Sequence, residues 1–152
     1  LMQDDVETIA AATDLLAETK LTPELRNEAL YFRAKAYLNQ QADKKAMNDL
    51  QALAKDTRTL YGAEAKYLVA LQLYKAHEYA AAEKEILNFI EQSTPHAYWL
   101  ARSFILLSDV YVSMDKKLDA RQYLLSLQQN YHADDDIEQM INERLEKLKS
   151  EE

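Results

Sequence analysis

Phe104-Ile105-Leu106-Leu107-Ser108-Asp109-Val110-Tyr111, continued by Leu118-Asp119-Ala120, decides how the rest of the chain is read. Ser108, Tyr111, Ala120, Leu124 and Leu127 stand at spacings of 3, 9, 4 and 3. The same spacings join Ala34, Tyr37, Ala46, Leu50 and Leu53, and again Ala70, Leu73, Ala82, Ile86 and Phe89. The copies are offset by 36 and then 38 residues. A fixed period of this size is the signature of stacked supersecondary units rather than of a closed globule.

Composition agrees with helices as those units. The 152 residues contain one glycine, Gly62, and two prolines, Pro23 and Pro95. So few breakers leave little room for hairpins of strand, and the abundant Ala, Leu, Lys, Glu and Gln are good helix formers. The chain contains no cysteine, which excludes disulfides, thiolate metal sites and a cysteine nucleophile. Formal net charge is −8, and it is uneven. Residues 132–152 carry eight acids against Arg144, Lys147 and Lys149, which is 3 − 8 = −5. Nucleic acid and anionic membranes both call for clustered Lys and Arg, so neither is an expected partner. No apolar run approaches the roughly 18 residues of a membrane-spanning helix, and direct membrane insertion is not expected.

Periodicity and capping residues predict eight helices, over about 4–19, 23–38, 43–55, 61–76, 79–92, 96–114, 117–130 and 135–149. In the first, Val6, Ile9, Ala10, Thr13, Leu16 and Ala17 follow helical spacing. Thr22-Pro23-Glu24 reads as a cap, a first helical proline and an acidic first turn. Thr94-Pro95 repeats that signal, and Asp135-Asp136-Ile137-Glu138 has the spacing of a capping box. Asn39-Gln40-Gln41-Ala42 turns the chain between two helices.

The repeated small residues have a steric reason. Ala34, Ala70 and Ser108 precede Ala46, Ala82 and Ala120 by twelve residues, one on each arm of a helical hairpin. Small side chains at both places let the two backbones approach closely. Tyr37, Leu73 and Tyr111, with Leu50, Ile86 and Leu124, then fill the wedge beside the crossing. One hairpin cannot bury its own apolar face, so hairpins stack.

This pattern resembles the tetratricopeptide repeat, over about residues 27–131. The resemblance implies an all-α solenoid of antiparallel helix hairpins forming a right-handed superhelix. The single domain over 1–152 would hold a partial repeat (1–20), repeats at about 27–58, 63–94 and 101–131, and a capping helix over 135–149. The chain, opening at Leu1 close to a helical pattern, reads as the C-terminal fragment of a longer protein, with Ser150-Glu151-Glu152 as a natural terminus. Departures from the family pattern are Arg33 in place of Leu, Lys66 in place of a large residue, and Leu53, Phe89 and Leu127 in place of a small one. The array also looks like those of bacterial cell-envelope proteins, which suggests a periplasmic or envelope location.

The resemblance further implies a concave groove lined by the first helix of each repeat. Carried over position by position, the groove offers Glu28, Tyr31, Lys35, Leu38 and Asn39, then Glu64, Tyr67, Leu71, Tyr74 and Lys75, then Arg102, Ile105, Asp109, Val112 and Ser113. Tyr31, Lys35, Tyr67, Leu71, Tyr74, Lys75, Arg102 and Asp109 are the candidate partner-binding residues, and a protein or peptide segment is the expected partner. The alternative for the tyrosines is packing between repeats. The alternative for the whole chain is a structural spacer that organises neighbouring domains, or a non-catalytic subunit of an envelope complex. Position nine reads Lys35, Leu71, Asp109, so the family's two-carboxylate clamp is absent.

Catalysis, metal and cofactor are not expected. His77, His96 and His132 are scattered without helical pairing, and one glycine builds neither a phosphate loop nor a nucleophile elbow. Asp134-Asp135-Asp136 reads as a helix cap, since it lacks the alternating ligands and turn glycine of a calcium loop. Trp99, after Tyr98, reads as packing between repeats.

Overall fold

The computed structural model describes residues 2–150; Leu1, Glu151 and Glu152 lie outside it. Eight helices follow one another: α1 (Met2–Leu16), α2 (Pro23–Asn39), α3 (Asp43–Leu53), α4 (Leu60–Lys75), α5 (Tyr79–Glu91), α6 (Ala97–Ser113), α7 (Lys117–Asn130) and α8 (Ile137–Ser150). No strand occurs among the described residues. Each helix packs on its chain neighbours, and α2, α4, α6 and α8 also pack in succession on one another. Among the described residues no helix touches another more than two places away. That is the contact pattern of a linear array, in which each unit meets only its neighbours.

The helix crossings are as tight as the small residues require. Ala34, Ala46, Ala82 and Ala120 have no exposed surface, and Ala70 and Ser108 are buried beside them. Leu50, Ile86 and Leu124 are buried in the same core, which runs unbroken from α2 to α8. The two charged departures from the motif are matched by polar partners on the facing helix. Arg33 donates from Nε and Nη2 to the carboxylate of buried Asp49, at 2.8 and 2.7 Å. Lys66, also buried, lies 2.6 Å from Glu85 and donates to Asn88 at 2.7 Å. One period on, the places of Lys66 and Glu85 hold Phe104 and Tyr123, whose rings meet at 5.8 Å. An ion pair and an aromatic pair thus serve the same contact.

The turn inside each full hairpin is built alike. Gln41, His77 and Asp115 occupy equivalent places and all adopt the left-handed conformation, at φ 60°, 61° and 60°. The next N–H reaches back over the helix end: Ala42 to Tyr37, Glu78 to Leu73 and Lys116 to Tyr111, at 2.8, 2.9 and 2.7 Å. This is the reach-back closure of a helix C-terminus usually made with glycine. The chain's glycine sits elsewhere, near the start of α4. A Cβ on Gly62 would stand 1.9 Å from the carbonyl oxygen of Asp56 and 2.7 Å from Thr59 Oγ1. Thr59 caps α4 by accepting from that glycine's N–H at 3.0 Å, which requires the close approach.

Three local expectations are corrected. The Thr22 cap holds, accepting from Leu25 N–H at 3.2 Å, but its apparent copy at Thr94 does not cap α6. The Thr94 hydroxyl donates to the carbonyl of Thr57 at 2.6 Å, which ties it to the preceding repeat, and α6 begins only at Ala97. Likewise α8 begins at Ile137, because Asp135 takes up the Ile137 N–H itself at 2.9 Å and so remains outside the helix. In α1 the expected apolar stripe is displaced. Ala12 is buried, with Ile9, Leu15 and Leu16 half-covered, while Val6, Ala10, Thr13 and Ala17 are exposed. The reason is that α1 packs only on α2, so a narrow strip of it is covered.

Candidate partner-binding groove

The stacking of α2, α4, α6 and α8 sets their side chains against one another at separations near the repeat period. Between α2 and α4, the Tyr31 hydroxyl donates to both Glu64 oxygens at 3.1 and 3.2 Å. Lys35 Nζ donates to the same carboxylate at 3.1 Å. The Tyr31 ring stacks on Tyr61, centroids 4.2 Å apart. Burial, then the charge of Glu64, pushes the Tyr31 hydroxyl up to about 12. Between α4 and α6, Arg102 donates to the Tyr67 hydroxyl at 3.1 Å and lies 5.1 Å over that ring. It also donates to the Tyr98 hydroxyl at 2.9 Å, and Tyr98 in turn donates to Asp136 at 3.0 Å. Between α6 and α8, Arg144 grips Asp109 through Nε and Nη2 at 2.9 and 3.0 Å.

The candidate residues therefore separate. Tyr31, Lys35 and Glu64 come together, as do Tyr67 and Arg102. Tyr67, expected on an open surface with Tyr31 and Tyr74, is only 5 % exposed. Its ring lies 5.7 Å from that of Trp99, with Arg102 over it, so it packs between repeats, as does Trp99. Glu64 and Ile105 are buried as well. Asn39 and Lys75 point away from the shared face: Asn39 reaches Asp5 of α1 at 3.4 Å, and Lys75 lines a cleft with Asp43, Lys44 and Met47 of α3. Leu71 and Tyr74 are half-buried.

One cleft of about 230 Å³ opens where α4, α6 and α8 meet. Tyr74, Asp109, Val112 and Ser113 line it from the expected positions, and Arg144, Lys147 and Leu148 line it from α8. The α8 residues lie outside the sequence candidates, because the sequence marks that helix only as a cap. The available signal is a separation close to the repeat offset: Arg144 follows Asp109 by 35 residues, as Arg102 follows Tyr67. The cleft carries two cations against one carboxylate. With Asp109 held by Arg144 and Lys147 exposed, it suits an acceptor or acidic group beside an apolar contact on Val112 and Leu148.

The histidines take local roles. His77 Nδ1 meets the Tyr79 hydroxyl at 2.6 Å, His96 Nε2 the carbonyl of Arg58 at 2.9 Å, and His132 Nε2 the carbonyl of Gln129 at 2.9 Å. Among the described residues no group of three or more His, Cys, Asp or Glu is placed to hold a metal ion. No helix among them is long and apolar enough to cross a membrane. No family model matches the chain, and no curated protein or solved structure matches it.

Proposed function

We propose that the chain is a non-catalytic scaffold of the tetratricopeptide kind, which takes a partner's peptide segment along the face shared by α2, α4, α6 and α8. The observation that carries this reading is the cleft at Tyr74, Ser113, Arg144 and Lys147, a concave space with both apolar and cationic walls. The segment would place an acidic or carbonyl group near Lys147 and an apolar side chain against Val112 and Leu148. The test uses Ser113→Trp, which fills the cleft, and Lys147→Glu, which reverses its rim charge; both sites are exposed. Partners recovered from native lysate should be lost with either variant, while urea midpoints stay within about 0.5 kcal/mol of the parent.

A second reading, a structural spacer, is favoured by one observation. Much of the polar surface between α2, α4 and α6 is already satisfied internally, by Tyr31, Lys35 and Glu64 and by Tyr67 and Arg102. If folded Ser113→Trp and Lys147→Glu retain every partner, the spacer is the better account.

A further inference from the structure

Ser108 stands where the two earlier copies of the repeat hold Ala34 and Ala70. The hairpin crossing asks only for a small side chain there, and alanine meets that need without a polar atom. Ser108 is 1 % exposed, yet its Oγ has no hydrogen-bond partner among the described residues. Ser103, wholly buried on the same helix, instead donates to the carbonyl of Trp99 one turn back, at 2.9 Å. A buried hydroxyl left unpaired costs stability that alanine would not cost, so Ser108 calls for a partner from outside the chain. Its place supplies a route to one, because it lies in the wall of the cleft between α4, α6 and α8.

The charges around that cleft narrow the chemistry. Arg144 and Lys147 stand against the single carboxylate of Asp109, which Arg144 already holds, so one positive charge is left over. A carboxylate cancels that charge, whereas a phosphate, with about two charges, would leave the cleft negative. We infer that the cleft is a pocket for one aspartate or glutamate side chain of the bound segment. The Ser108 hydroxyl donates to one carboxylate oxygen and the exposed Lys147 ammonium to the other. An apolar neighbour in the segment rests on Val112 and Leu148. A volume of about 230 Å³ holds such a side chain but no length of backbone. The inference rests on the groove reading above and adds to it which group binds deepest and what receives it.

The test titrates the isotope-labelled chain with N-acetyl-glutamyl-leucine methylamide, which offers one side-chain carboxylate and one apolar group. Amide resonances of Tyr74, Ser108, Val112, Ser113 and Lys147 should shift and saturate at millimolar probe, as suits so small a ligand. The glutaminyl analogue should bind the chain about tenfold or more weakly, and the glutamyl probe should lose as much on Ser108→Ala. Ser108→Ala should keep or raise the urea midpoint, since alanine fills the same place in the other two copies. A hydroxyl that only packs the crossing gives the opposite pair of results, a lower midpoint and unchanged probe affinity, and overturns the inference. So does a probe that shifts no cleft amide at tens of millimolar. Equal binding of N-acetyl-glutaminyl-leucine with a free terminal carboxylate would assign the pocket to a chain end and overturn the side-chain assignment. The groove reading fails separately, through folded Ser113→Trp and Lys147→Glu that keep every partner.

Discussion

Arg33 and Asp49, sixteen residues apart, close the first full hairpin with a two-pronged ion pair whose carboxylate is almost wholly buried. The third copy makes the same crossing with Leu107 and Tyr123 in those places. Removing Arg33 strands a buried carboxylate, and Arg33→Leu should cost about 3–5 kcal/mol in urea unfolding. Asp49→Ala leaves a guanidinium that can still reach water, and should cost about 1.5–3 kcal/mol. Arg33→Leu with Asp49→Tyr, which copies the third repeat, should fall within about 1 kcal/mol of the parent, because an apolar pair can replace a buried ionic one. A double variant as unstable as the sum of the singles would refute this.

The hairpin turns should accept glycine. Gln41 and Asp115 hold a backbone conformation in which a Cβ is strained. Gln41→Gly and Asp115→Gly should each gain about 0.5–1 kcal/mol, the relief exceeding the entropy that glycine adds to the unfolded chain. Equal or lower urea midpoints would mean that the side chains contribute contacts that outweigh the strain.

Ala82 has no exposed surface where α4 and α5 cross. Ala82→Leu should overpack the crossing and cost about 1–3 kcal/mol. A change within about 0.5 kcal/mol, typical of surface sites, would place that residue outside the crossing.

α8 both lines the cleft and covers the end of the core. Ile137, Ile141 and Leu148 are buried, with Met140 and Leu145 packed beside them. Deleting residues 134–152 should produce aggregation or a broad, non-cooperative transition, since a terminal repeat exposes its apolar face when its cap is lost. A soluble truncated chain with the parent's midpoint would show that the cap is dispensable.

Alkaline pH should loosen the join between α2 and α4. Burial first, then Glu64, favours the protonated Tyr31 phenol in the folded chain, raising it from 10.0 to about 12. A phenol whose pKa is raised on folding stabilises the fold fully below pH 10 and loses that contribution as pH rises to about 12. Stability measured across this window should decline, and less steeply in Tyr31→Phe, with Tyr131, raised to about 12 by burial and then Asp135, accounting for part of the remainder. An identical slope in Tyr31→Phe would remove Tyr31 from the account.

The eight helices, their pairing and the identity of the buried small residues were legible in the sequence, because they depend on spacing along the chain. Ala34 to Ala46 is a hairpin distance, and a repeat of that distance at a fixed period leaves few other ways to bury the apolar face. Only the tertiary structure decided which groove positions remain open. The packing of successive hairpins sets whether a first-helix residue meets its neighbour or solvent. Tyr67 packs against Trp99 and Arg102 while Tyr74 opens onto the cleft, though both stand at expected groove positions of the same helix. Helix starts that depend on distant partners were hidden for the same reason. Thr94 and Thr22 look alike locally, but Thr57, 37 residues away in the chain, claims the Thr94 hydroxyl. Leu68 and Phe32 stand one period apart, yet they are 9 % and 48 % exposed, because burial follows what neighbouring helices cover and not the place in the repeat.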